Sequence, residues 1–71
     1  MLVKRSVSLA GHRTSIALEP EFWSALESVA TAHGKPLASL IAELDAARPP
    51  DRPLASALRV FALTERLRGT S

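Results

Sequence analysis

Seven residues, His12 to Leu18, restrict the fold more than any other stretch of the chain. They read His-Arg-Thr-Ser-Ile-Ala-Leu. Successive side chains of an extended strand point to opposite faces, so Thr14, Ile16 and Leu18 share one side and Arg13, Ser15 and Ala17 the other. One face is apolar at its core, and the other is polar or small. A lone short strand leaves its backbone N–H and C=O groups unpaired, so this one needs a partner strand. The only other candidate is Ser6-Val7-Ser8-Leu9, which alternates in the same way and runs toward Gly11. Pairing within the chain and pairing with a second copy are both open on these grounds.

Helical signals follow the strand. Pro20 suits an early helical position, and Glu19 and Glu21 favour the positive end of a helix dipole. Phe22, Leu26, Val29, Ala30 and His33 recur at spacings of three and four, with Trp23 widening the apolar stripe. Gly34 predicts a left-handed cap, and Lys35-Pro36 prevents continuation, which places a first helix at roughly 20–33. A second helix begins near Pro36 or Leu37, turns Leu37, Leu40, Ile41 and Leu44 inward, and stops before Pro49-Pro50. Pro53 opens a third, carrying Leu54, Leu58, Phe61, Ala62 and Leu67. No internal repeat or low-complexity tract stands out.

Size limits how such a chain stabilises itself. A domain of this length buries only about 60% of its unfolded surface, which makes a lone copy marginal. The 71 residues include no Cys, which removes disulfides and thiolate metal ligands, and His12 and His33 lie too far apart to suggest a metal site. Self-association is the remaining staple. No segment has the run of about 18 apolar residues that spans a membrane, and Met1-Leu2-Val3-Lys4-Arg5 lacks the apolar core of a signal peptide. A soluble, cytoplasmic protein is expected. Ser, Thr and carboxylate side chains are scattered without a paired base, so no catalytic constellation, cofactor or metal is expected.

The formal net charge is +2, and its distribution is more informative than its size. Residues 1–18 carry Lys4, Arg5 and Arg13 and no acid. Residues 19–47 carry five acids against Lys35, and residues 48–71 carry five arginines against Asp51 and Glu65. A basic amino-terminal segment ahead of an acidic middle suggests one surface built for phosphate.

The run from Thr14 to Trp23, followed by Leu26, Ala30, Gly34 and Ile41, resembles the ribbon-helix-helix family of bacterial DNA-binding proteins. The closest likeness is to small members that open with Lys-Arg-Ser-Val and carry Gly-His-Arg-Thr-Ser before the strand, matched here by Lys4 to Val7 and Gly11 to Ser15. The likeness extends to Leu54–Phe61. It implies a mostly α fold with one short β-strand, built as an intertwined homodimer with an intersubunit two-stranded antiparallel sheet and a third, C-terminal helix. Residues 1–71 are then one domain: a basic arm at 1–11, a strand–helix–helix core at 12–48 and the C-terminal helix within 49–71.

The resemblance also assigns roles. Arg13, Ser15 and Ala17 would read base edges in the major groove, where Arg pairs with guanine, Ser with several edges, and Ala touches a thymine methyl. Lys4, Arg5 and Lys35 would meet phosphate, together with the backbone N–H groups of Leu37 and Ala38 at the start of the second helix. Ile16, Leu18, Phe22, Trp23, Leu26, Leu40, Ile41 and Leu44 would form the dimer core. Two positions depart from the family pattern: Pro36 stands where Ser or Thr is usual, and Ala17 where a polar or basic residue is common. The implied function is sequence-selective binding of double-stranded DNA by a homodimeric transcriptional regulator. The alternative is an antitoxin or adaptor that docks a protein partner through Leu58, Phe61 and Leu67.

Overall fold

A computed structural model describes residues 1–69 of the chain. Its elements run in the order β1 (Val3–Leu9), β2 (His12–Leu18), α1 (Pro20–Ala32), α2 (Leu37–Ala47) and α3 (Leu54–Gly69). Residues 70 and 71 lie outside this description.

The expected single strand is in fact one arm of a hairpin. β1 pairs antiparallel with β2 from Val3↔Leu18 to Leu9↔His12, so residues expected as a basic arm are a strand of the sheet. The two-residue connection, Ala10 and Gly11, has φ values of +51° and +82°. Positive φ at both central positions is the pattern of a type I′ turn, whose twist matches that of the flanking strands. Gly11 takes this conformation without a steric penalty, whereas Ala10 does so at a cost of about 1–2 kcal/mol, the usual penalty for an L-residue in the left-handed region. One edge of β2 therefore finds its partners in β1 of the same chain, and its other edge stays unpaired within the chain.

The helices follow the sequence signals closely. Phe22 and Trp23 donate their backbone N–H groups to the Glu19 carbonyl at 3.0 and 3.2 Å, which starts α1. Its end is a paired left-handed cap. Gly34 (φ +67°) donates to Thr31 O and Lys35 to Ala30 O, each at 3.0 Å. These two bonds satisfy carbonyls that a helix end otherwise leaves open. Beyond α2, the Arg48 guanidinium reaches Asp45 at 2.9 Å and the Arg52 carbonyl at 2.7 Å, which ties the Pro-rich loop to the end of the helix.

The hydrophobic core sits between the inner face of the hairpin and all three helices. Leu9, Ile16 and Leu18 come from the sheet, Trp23, Leu26 and Ala30 from α1, Leu40 and Ile41 from α2, and Leu58 and Ala62 from α3. Of the side chains expected in a dimer core, Ile16, Leu18, Trp23, Leu26, Leu40 and Ile41 are buried in the chain's own core, and Phe22 and Leu44 pack half-buried against it. Through Leu58 and Ala62, α3 completes this core. The large apolar side chains left exposed are Met1 and Leu2 at the start, and Val60, Leu63 and Leu67 along α3.

Candidate nucleic-acid interface

The pairing register sorts the hairpin into two faces. Directly opposed residues in an antiparallel pair project to the same side of the sheet. Leu9, Ile16 and Leu18 are buried, so Val3, Arg5, Val7, Leu9, His12, Thr14, Ile16 and Leu18 form the helix-facing side. The outer side consists of three opposed pairs: Lys4 with Ala17, Ser6 with Ser15, and Ser8 with Arg13. All six are exposed except Ala17, which is half-buried. This face carries two cations and no acid, and its other side chains are small. The hairpin is thus a flat, basic ribbon with short side chains at its centre.

Its inner face is fixed to the helices by contacts from one end to the other. The Trp23 indole Nε1 donates to the Val3 carbonyl at 2.8 Å, joining α1 to the beginning of β1. Arg5 lies over the Trp23 ring, 4.7 Å from its centroid, and donates to Glu27 Oε2 at 2.8 Å. Arg5 was expected at phosphate; the structure turns it to the opposite side of the sheet and engages its charge with α1. A residue one position away in a strand always faces the other way, which is why Lys4 and Arg5 part company here.

The junction between ribbon and helix is held separately. Arg59 of α3 donates from Nε to Glu19 Oε1 at 2.9 Å, and its guanidinium carbon lies 5.9 Å from the Phe22 ring centroid. The hydrogen bond from Arg59, assisted by the backbone N–H of Glu19 itself, holds the Glu19 carboxyl below the ordinary carboxylate range. A carboxyl whose pKa is depressed by folding stabilises the fold above its unfolded-state pKa, and that stabilisation is lost as pH falls through the depressed value. Glu19→Gln should therefore melt slightly below the wild type at neutral pH, with the gap closing in strong acid. An equal gap at both pH values, measured by thermal unfolding, would sink the ion-pair account. The effect is small because the pair is solvent-screened.

The remaining expected phosphate contacts lie at α2. Pro36 precedes the helix with φ −64° and ψ 151°, and its carbonyl accepts from the N–H groups of Ser39 and Leu40. The N–H groups of Leu37 and Ala38 belong to the first turn, where a helix offers no carbonyl partner. Lys35 does not project freely beside them: its Nζ binds both oxygens of Glu43 at 2.9 and 2.7 Å. Arg13, Ser15 and Ala17 share the outer ribbon face as expected from alternation. Lys4, expected on an arm, is part of that face. Ser6 and Ser8 were missed, although their alternation with Val7 and Leu9 carried the signal once β1 was paired.

Among the described residues no group of three or more His, Cys, Asp or Glu side chains comes together to hold a metal ion. No helix among them is long and apolar enough to cross a membrane.

Comparison with known proteins agrees with this architecture. A family model described as a ribbon-helix-helix domain matches residues 2–66. Neither the curated proteins nor the solved structures yield a match. Domains of this family are typically non-enzymatic DNA-binding modules of the regulator type. With a two-stranded ribbon followed by helices, and a family match that runs from the first strand nearly to the end of α3, the chain belongs to the ribbon-helix-helix domain family.

Proposed function

We propose that the chain binds double-stranded DNA sequence-selectively by laying the outer face of its β1–β2 hairpin in the major groove, and that it acts as a homodimeric transcriptional regulator in the cytoplasm. One observation carries this reading: the outer face presents Lys4 and Arg13 with no acid, and only Ser6, Ser8, Ser15 and Ala17 between them. The cations supply attraction to phosphate and, from Arg13, bidentate recognition of guanine. The short side chains let the ribbon approach base edges closely. A two-stranded ribbon also fits the groove, which is about 12 Å wide, while strands lie about 4.8 Å apart.

Arg13, Ser15 and Ala17 are the base readers in this scheme, with Ser6 and Ser8 added from β1. The backbone N–H groups of Leu37 and Ala38 anchor a phosphate, and Lys4 adds its charge at one end of the ribbon. Arg5 and Lys35 act instead as internal ties, to Glu27 and Glu43. For the homodimer that the family implies, β2 keeps one edge unpaired within the chain, and Val60 and Leu63 of α3 are exposed apolar surface. Docking a protein partner through α3 has less support, because Leu58 is fully buried and Phe61 half-buried in the chain's own core.

The test is selection from random duplex DNA followed by titration with salt. An enriched sequence is expected, with an affinity that falls steeply as salt rises, since each neutralised phosphate contributes about 0.9 to the slope of log affinity against log salt. No enrichment together with salt-independent binding would refute the proposal.

A further inference from the structure

α3 is apolar on two sides, and the chain's own core uses one of them. Leu58 and Ala62 are buried, with Leu54 and Phe61 half-buried beside them. At about 100° per residue, Val60, Leu63 and Leu67 fall on the opposite side of the helix. They are 46%, 58% and 70% exposed, and beyond Met1 and Leu2 they are the only large apolar side chains exposed among the described residues. Half-buried Ser56 continues their line by one turn. The series 56, 60, 63, 67 alternates steps of four and three, the period that keeps a seam facing a second helix.

This seam belongs to the helix beside the open edge of the sheet. α3 lies against β2, and α2 against β1. β2 pairs with β1 on one side and keeps its other edge unpaired within the chain. A two-fold axis perpendicular to the sheet at that edge sets the β2 strands of two copies side by side. It also leaves the helices of both copies on one side of the sheet, with the two α3 helices as antiparallel neighbours. One register then forms a closed ladder, in which Val60 meets the partner's Leu63 and Ser56 meets the partner's Leu67, each contact occurring twice. Three apolar side chains per copy fall short of the roughly 1,200 Å² that a stable interface buries, so the seam needs the β2 edge alongside it.

The charges agree with this arrangement. α3 runs in the same sense as α1: Arg59 meets Glu19 and Phe22 at the start of α1, while Glu65 and Arg66 share a groove with Ala32 and His33 at its end. In an antiparallel pair the partner's Arg66 therefore comes level with Arg59, at the acidic start of α1. Arg59 is already matched by Glu19. Glu21 and Arg66 are both exposed, and neither has an ion-pair partner within the chain among the described residues. A second copy offers each of them the opposite charge.

We infer that Val60, Leu63 and Leu67 are a helix-to-helix seam of the homodimer: a second copy of this chain packs its α3 antiparallel against this one, beside the β2 edge. This rests on the homodimer in the reading above and adds the surface that closes it.

The test measures dimerisation of the full chain by sedimentation over a concentration series, beside Leu63→Glu, Val60→Cys and Leu63→Cys. The wild type should be a dimer. Leu63→Glu should weaken dimerisation by about a hundredfold or more, because the lost leucine counts twice in each dimer. The chain has no Cys of its own, so a disulfide reports only the introduced pair. After subunit exchange and mild oxidation, a mixture of Val60→Cys and Leu63→Cys should cross-link more than either variant alone. That comparison decides the matter even if Leu63→Glu fails to fold. An unchanged dimer affinity for folded Leu63→Glu, or a mixture that cross-links no more than the single variants, overturns the inference and leaves the seam to a different protein. A wild type that stays monomeric both free and on a selected duplex overturns the homodimer reading itself, and this inference with it.

Discussion

Trp23→Ala is expected to destabilise the chain by about 3–5 kcal/mol, the range for emptying a large aromatic site in a packed core. The Trp23 side chain is 1% exposed and lies between the sheet and the helices. Truncation removes more than its contact area. The indole N–H holds the Val3 carbonyl at 2.8 Å, and the ring supports the Arg5 guanidinium from 4.7 Å, so the start of β1 loses two of its ties to α1 and keeps the Arg5–Glu27 ion pair. Small domains have total stabilities of about 5–15 kcal/mol, and a chain of this size belongs near the lower end. The variant should therefore be largely unfolded at ambient temperature, or show a denaturation midpoint far below that of the wild type by circular dichroism. Trp23→Phe, which keeps an aromatic ring and loses the N–H donor, should remain folded and lose much less. A wild-type midpoint for Trp23→Ala would contradict the role given to this residue.

The helices were legible because their signals are local and redundant. Pro20, the three- and four-residue spacing of Leu26, Val29 and Ala30, and Gly34 all bear on the same short stretch, and the structure ends α1 with the left-handed residue they require. The hairpin was harder to read. Its turn is Ala10-Gly11 rather than the Asn-Gly or Asp-Gly that announces a type I′ connection. Arg5 also interrupts the apolar face formed by Val3, Val7 and Leu9, and it is accommodated only because its guanidinium stacks on Trp23 and reaches Glu27. Neither tie is visible without tertiary structure. Alternation alone left pairing within the chain and with a second copy open, and the structure gives β2 one partner, β1, within the chain.

The candidate site was legible to the same extent as its strands. Alternation alone placed Arg13, Ser15 and Ala17 together, since the period of a strand leaves no other choice. It could not say which of Lys4 and Arg5 joins them, because a shift of one residue in register exchanges the faces. The observed register selects Lys4, adds Ser6 and Ser8, and turns Arg5 inward. Lys35 was likewise read from its position before α2, while its engagement with Glu43 depends on how the second helix runs past it. Side-chain ion pairs between elements are the part of the site that sequence patterns do not encode.

Removing both outer-face cations should produce the largest functional loss. Arg13→Ala alone should cost about 1–3 kcal/mol of binding and relax one base position, while Lys4→Ala should reduce the salt slope by about 1. The two side chains sit at opposite corners of the face and share no partner, so their effects should be close to additive. The double variant is expected to bind a selected duplex on the order of a hundredfold more weakly than the wild type at moderate salt. Exposed positions of this kind seldom change stability by more than about 0.5 kcal/mol, so the melting curve should not move.

The most direct test of the central claim is the affinity of the wild type and of Lys4→Ala/Arg13→Ala for one selected duplex, measured side by side across a salt series. A large loss of affinity, with a slope shallower by about 1–2 and an unchanged melting temperature, is the predicted result. Equal affinity and equal slope for the two proteins would show that DNA is not held by the outer face of the hairpin.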